Sequence, residues 1–210
     1  MLENNKENIQ CREDKIDYSM ISCISSRLRV GVVGYGRAGM IKAKHFIELG
    51  AYVEVISKDS CDNDNVLIRE YDKTFILDKH LIIIAVDDAT TRDRIKEDCD
   101  RYYKIYIDCT SFREGMAVVP MQYSCGSITC AINTNGGNPR ASVFLINKIK
   151  DQFSEYNEYI QVTTYIRNRV KSYNYKEQVL DFIFSEDFYF FIENNKWKQI
   201  LSMFYPLLDI

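Results

Sequence analysis

Three glycines, Gly34, Gly36 and Gly39, follow the apolar run Val30-Gly31-Val32-Val33 and open a stretch with helical spacing. They form a G-x-G-x-x-G pattern at the junction of a strand and a helix. In that context each has its own task. Gly34 permits a tight turn, Gly36 lets the backbone approach a pyrophosphate, and Gly39 lets the helix pack closely on the strand. The helix then opens with Arg37 and Ala38, whose N–H groups face the phosphates. At the end of the next strand lies Ser57-Lys58-Asp59, with Asp59 twenty residues beyond Gly39. An aspartate there accepts a hydrogen bond from a ribose 2′-hydroxyl, whereas Lys58 beside it tolerates a 2′-phosphate. The balance favours NAD over NADP.

Two further groups could act on a ligand. Asp108 ends the run Ile105-Tyr106-Ile107-Asp108, which places a carboxylate at the carboxyl end of a strand, the edge at which α/β sheets bind ligands. Asp87 and Asp88 also follow a strand, but they begin a helix, where capping explains them without chemistry. Further on, Asn133-Thr134-Asn135-Gly136-Gly137-Asn138-Pro139 precedes a helix. There Thr134, Asn135 and Gly136 could hold anionic groups, although capping and turn formation explain the same residues. Arg113 and Arg140 are candidates for neutralising a carboxylate-rich substrate. His45 and His80 read as structural histidines, and no residue is assigned to a metal.

The elements that must position these residues follow from periodicity. Residues 29–33 and 52–56 read as strands around a helix at 38–49, a βαβ unit. Residues 81–86, apolar throughout, read as a strand buried on both faces, followed by a charged amphipathic helix at 90–101 and a strand at 104–107. That alternation predicts an α/β fold with a parallel sheet. Residues 117–121 and 127–132 are strand-like and too close for a crossover helix, so they suggest a hairpin outside the main sheet. Helices are expected at 140–153, 156–172, 177–184 and 197–204. All nine glycines lie between Gly31 and Gly137, while fifteen of the twenty-seven aromatics fall from Phe153 onward. This shift in composition marks a boundary. The aromatic stretch from Phe182 to Phe191 reads as packing rather than as the floor of a pocket.

Composition excludes several classes. With 210 residues, 46% hydrophobic, 27% charged and a formal charge of −3, the chain has neither the bias of a disordered protein nor a basic footprint for nucleic acid. Its longest aliphatic run is six residues, against roughly 20 for a membrane span. The first 17 residues mix both charges without an apolar core, which predicts a solvated tail and a cytoplasmic protein. Seven scattered cysteines then read as reduced thiols.

Taken in order, these features resemble the precorrin-2 dehydrogenase / sirohydrochlorin ferrochelatase family, the N-terminal module of siroheme synthases. The V-G-G-G strand end of that family is similar to Val33-Gly34-Tyr35-Gly36, and its K-A-x-x-L-L-x-x-G-A helix to the stretch from Lys42 to Ala51. Its A-T-D-D segment resembles Ala85-Val86-Asp87-Asp88, which brings Asp87 to the cofactor, and its N-V-V-D resembles Tyr106-Ile107-Asp108. Pro120 matches a proline of its F-x-x-P-S stretch, and its S-T-N-G-K-S-P turn is similar to Asn133-Thr134-Asn135-Gly136-Gly137-Asn138-Pro139. The chain departs from the pattern at Thr90-Thr91-Arg92, where an asparagine is usual, and at Gly137-Asn138.

The resemblance implies a Rossmann-type NAD-binding domain at 18–112, a central dimerisation region at 113–150 and a C-terminal helical domain at 151–210, assembled as a homodimer. It implies precorrin-2 as substrate, oxidised by NAD⁺ to sirohydrochlorin. In some members ferrous iron is then inserted. Asp108 takes the position of an aspartate central to both steps, consistent with the protons that oxidation and metal insertion each release. The competing reading is a catalytically silent dinucleotide-binding regulator, which has no need of a carboxylate beside the nicotinamide.

Overall fold

The computed structural model describes residues 16–206 and Leu208, so most of the expected N-terminal tail lies outside the described residues. The chain divides between Val119 and Pro120 into two units.

The first unit is a five-stranded parallel sheet. Its strands are β1 (Arg29–Val33), β2 (Tyr52–Ser57), β3 (Val66–Ile68), β4 (Leu81–Ile84) and β5 (Ile105–Asp108), in the order β3-β2-β1-β4-β5. Val30 and Val32 of β1, and Ile82, Ile83 and Ile84 of β4, have no exposed surface. Central strands of a parallel sheet are covered on both faces, which is why they are apolar at every position rather than at alternate ones. Helix α1 (Arg37–Glu48) buries Gly39, Ala43 and Phe46, a spacing that places all three on one face. Helix α2 (Ala89–Arg101) buries Ile95, Asp98 and Cys99. Asp98 accepts a hydrogen bond of 3.0 Å from the Tyr71 hydroxyl, which together with burial pushes the phenol pKa far up. The strand order reverses between β1 and β4, so the sheet is the expected doubly wound Rossmann type with its crevice at that point.

The second unit opens with an antiparallel hairpin, β6 (Met121–Cys125) and β7 (Ile128–Ile132), paired only with each other. Five helices follow: α3 (Pro139–Glu155), α4 (Asn157–Arg169), α5 (Lys176–Ile183), α6 (Glu186–Glu193) and α7 (Trp197–Phe204). Ile166, Val170, Val179, Ile183, Phe188, Ile192 and Leu201 form their core. The aromatic stretch divides by helical periodicity: Phe188 is fully buried, while Phe190 is 59% exposed.

Two expectations are corrected. The segment at 117–121 is not a strand as placed; pairing begins only at Met121, because its partner β7 ends at Ile132 and leaves the preceding residues no ladder to join. The strand at 81–86 ends at Ile84, since Ala85 and Val86 turn into the loop that leads to α2, which Asp88 caps. Sequence reasoning also missed β3, which has only three residues and gains its order from pairing with β2, and α6, whose aromatic content masks its helical period. Helix α3 starts at Pro139 behind Asn138, whose side-chain oxygen accepts from the Ala141 N–H at 3.1 Å. Asn138→Ala is expected to destabilise this unit by about 1 kcal/mol, read from a denaturant titration, with Asn138→Ser restoring most of it.

Candidate functional site

The glycine turn is built by close approach. Gly34 has φ +95°, a region open to glycine, and a Cβ there would lie 2.2 Å from the Ala85 carbonyl oxygen. A Cβ on Gly39 would lie 2.1 Å from the Gly34 carbonyl oxygen. These two positions lock β1, α1 and the end of β4 together and exclude any side chain. Gly36 is different: it caps α1 with extended backbone, and a Cβ there would meet nothing within 4 Å. Its missing side chain leaves open space where a ligand backbone-binding turn needs it.

That space belongs to a cavity of about 530 Å³ at the carboxyl ends of β1, β2 and β4. Gly34, Gly36, Lys58, Asp59 and Asp87 all line it, so five of the expected cofactor residues come together. Arg37 and Ala38 are exposed in the first turn of α1, and Gly39 is buried beneath the turn; none of the three lines the cavity. The loop after β2 is held over the glycines by a 2.7 Å hydrogen bond from Asn63 Nδ2 to the Tyr35 hydroxyl. Asp88 caps α2, accepting from the Thr91 N–H at 2.8 Å, and the Thr91 hydroxyl and this N–H hold its carboxyl below the usual range. Sequence reasoning missed Arg69 and Arg94, which line the same wall. Neither belongs to a motif; Arg69 directly follows β3 and Arg94 lies on α2. The Arg94 guanidinium donates to the Tyr71 carbonyl at 2.8 Å and sits over the Tyr71 ring. Shape and donors fit a dinucleotide: a crevice at the switch point, free space at the second glycine, and both a carboxylate and cations at the end of β2.

Asp108 ends β5, beside Ile84 of β4. Its side chain has no exposed surface and does not line the cavity. Oδ1 accepts the backbone N–H groups of Thr110 and Ser111 at 2.8 and 2.9 Å. Oδ2 lies 2.8 Å from Lys96 Nζ and 3.6 Å from Arg92 Nε. Burial alone would raise this carboxyl, but the Lys96 ammonium and the two backbone donors hold it below the ordinary carboxylate range. Arg113 lies nearby in sequence on the short 3-10 turn Phe112–Glu114, its guanidinium over the Phe112 ring. On the opposite side of β5, Cys109 packs against the α1 cluster, and burial pushes its thiol up and the Lys42 ammonium down.

Thr134, Asn135, Gly136 and Arg140 belong to the second unit. Thr134 shapes the turn: its hydroxyl accepts the Asn138 N–H at 2.7 Å and its carbonyl the Gly137 N–H at 2.8 Å. Asn135, Gly136 and Arg140 are exposed. Asn133, which the motif contains but sequence reasoning did not single out, has a buried Nδ2 with no acceptor among the described residues. The two histidines have structural settings. His80 Nδ1 accepts the Arg29 N–H at 3.0 Å, and His45 stacks edge-on against Phe46. Six cysteines are free among the described residues, and Cys11 lies outside them.

Comparison with known proteins agrees with this geometry. Residues 22–121 match the family model described as putative NAD(P)-binding. Over 146 residues the chain is 25% identical to the precorrin-2 dehydrogenase of Priestia megaterium, a match covering 64% of this chain and 70% of that protein. The solved structure of SirC, a precorrin-2 dehydrogenase, superposes with a TM-score of 0.68 at 20% identity, covering 89% of this chain and 98% of that one. The expected nicotinamide dinucleotide cofactor has a cradle in this chain, within the residues that match a putative NAD(P)-binding model. The chain thus carries a putative NAD(P)-binding region at residues 22–121, in a fold similar to that of SirC.

Proposed function

We propose that this chain is an NAD-dependent dehydrogenase that oxidises precorrin-2 to sirohydrochlorin. The observation that carries the reading is the sequence likeness to a precorrin-2 dehydrogenase over 64% of the chain, beside the glycine cradle. The oxidation removes a hydride and a proton from the reduced macrocycle. Bound in the cradle, oxidised nicotinamide supplies the hydride acceptor. Gly36 and the first turn of α1 hold the pyrophosphate, and Asp59 holds the ribose. Lys58, beside Asp59 in the cavity wall, offsets that preference only in part.

The proton goes to Asp108. Its Oδ1 is saturated by two backbone donors, while Oδ2 receives no backbone donor among the described residues and faces the Lys96 ammonium, which leaves it as the oxygen that can take a proton. Thr134, Asn135 and Gly136, with Arg113 and Arg140, bind substrate carboxylates, and two copies of the chain assemble through the region at 113–150. Insertion of ferrous iron into the product would use the same carboxylate to take up the pyrrolic protons.

The test is an anaerobic incubation of the purified protein with precorrin-2 and NAD⁺. The expected result is stoichiometric NADH and the absorbance of sirohydrochlorin; absence of both, with NAD⁺ bound, would leave the silent regulator as the better reading. Adding ferrous iron to the same mixture reads chelation separately. With NADP⁺ in place of NAD⁺, kcat/KM is expected to fall, because Asp59 confronts a 2′-phosphate. A higher kcat/KM with NADP⁺ would mean that Lys58 and Arg69 govern the choice instead.

A further inference from the structure

Asp108 is an unusual place to find an ionised group. Its carboxylate has no exposed surface, and a carboxyl so enclosed would, by itself, keep its proton. Helix α2 reverses that outcome. Arg92 and Lys96 stand one turn apart, at i and i+4, and so share the face that α2 turns toward β5. Both are themselves mostly buried, at 17% and 13% exposure, and Arg92 Nε has no hydrogen-bond acceptor among the described residues. Lys96 is the closer cation. It lies 2.8 Å from Oδ2, pairs at the same time with Glu114, and has Asp93 at 3.9 Å behind it. Glu114 and Asp93 are more than half exposed, so water screens them while Asp108 feels Lys96 at short range. On β5 and directly after it, the titratable neighbours are Tyr106 and Cys109, and burial raises both, keeping them neutral.

We propose that Lys96 is a positioning residue for the oxidation: it holds Asp108 ionised and aims Oδ2, the oxygen that the backbone leaves free, at the proton to be taken. Arg92 is the second, weaker partner. This rests on Asp108 being the base. A lysine that only ties α2 to β5 would also lower the Asp108 pKa, but its loss would then be read in stability and not in the acid limb of kcat/KM. The two roles therefore differ in the pH dependence of activity. Without Lys96, burial dominates, the carboxyl titrates higher, and the acid limb of kcat/KM moves up in pH.

The experiment compares wild type, Lys96→Gln, Lys96→Arg and Asp108→Asn in the precorrin-2 and NAD⁺ assay across pH. Lys96→Gln is expected to move the acid limb up by at least about one pH unit, so that activity on that limb falls about tenfold while the alkaline plateau changes far less. Lys96→Arg, which keeps the charge, should restore the wild-type profile. An unshifted acid limb in Lys96→Gln, or an equal loss at every pH, overturns the proposal. If Asp108→Asn is as active as wild type, it is the assignment of Asp108 as base that falls. Stability provides the readout that needs no activity. Asp108, titrating low in the folded wild type, contributes stability that is present above the unfolded carboxyl pKa and lost as pH falls through the folded value. In Lys96→Gln the carboxyl titrates higher, so less of that contribution remains. The stability gap between the two proteins in urea should therefore widen as pH rises through the ordinary carboxyl value of about 3.9. A gap that does not depend on pH would mean that Lys96 does not set the charge of Asp108, which overturns the proposal.

Discussion

A folded Gly36→Val protein should bind no measurable NAD⁺. The expectation follows from the contrast among the three glycines of the turn. At Gly34 and Gly39 a side chain would run into backbone within 2.2 and 2.1 Å, so substitution there breaks the packing of β1, α1 and the end of β4, and any loss of binding would be uninformative. At Gly36 nothing stands within 4 Å of a Cβ, and the backbone is extended, so the chain accommodates valine without strain. The branched side chain then fills the space in which pyrophosphate must approach the first turn of α1. Calorimetric titration with NAD⁺ measures the effect, and circular dichroism with a thermal melt confirms that the fold is kept. If the folded variant binds NAD⁺ as wild type does, the pyrophosphate is not held at this turn.

Asp108→Asn should lower the rate of precorrin-2 oxidation by about 10²–10⁴-fold, the usual contribution of a positioned general base. Asparagine keeps the shape of the side chain and can still accept the Thr110 and Ser111 N–H groups through one oxygen, so the turn after β5 survives. It cannot take a proton. Because Asp108 is not part of the cavity wall, NAD⁺ affinity should stay within a few-fold of wild type, which separates this variant from Gly36→Val. Asp87 and Asp88 are the rivals. Asp88 is engaged as the cap of α2, and Asp87 lines the cofactor cavity, so replacing Asp87 should act on NAD⁺ binding. Single-turnover measurements with saturating NAD⁺ isolate the step. Activity of both Asp108→Asn and Asp108→Ala within a few-fold of wild type would make Asp108 a structural anchor, and the proton acceptor would have to be another group or water.

The sequence alone determined the elements that periodicity and turn chemistry describe. The strand-glycine-helix junction at Gly34, the wholly apolar strand through Ile82–Ile84 and the capped helix behind Asn138 are local patterns, each legible because one short segment contains its own cause. The dinucleotide cradle was legible for the same reason. The rest of the cavity wall was not: Arg69 and Arg94 carry no pattern and meet the glycine turn only because β3 pairs beside β2 and α2 covers the sheet. The three-residue strand β3 escaped notice because a segment so short has no period, and its order comes from a neighbour distant in sequence.

Asp108 shows the division most clearly. Its place at the end of a strand follows from the run that precedes it, but its charge state does not. That depends on enclosure, which alone would protonate it, and on two cations supplied by a helix that only the folded sheet brings alongside. Sequence spacing sets which residues share one face of one element; electrostatics in a protein interior depends on distances of a few ångströms between elements and on the exclusion of water, and both arise only when the tertiary structure closes.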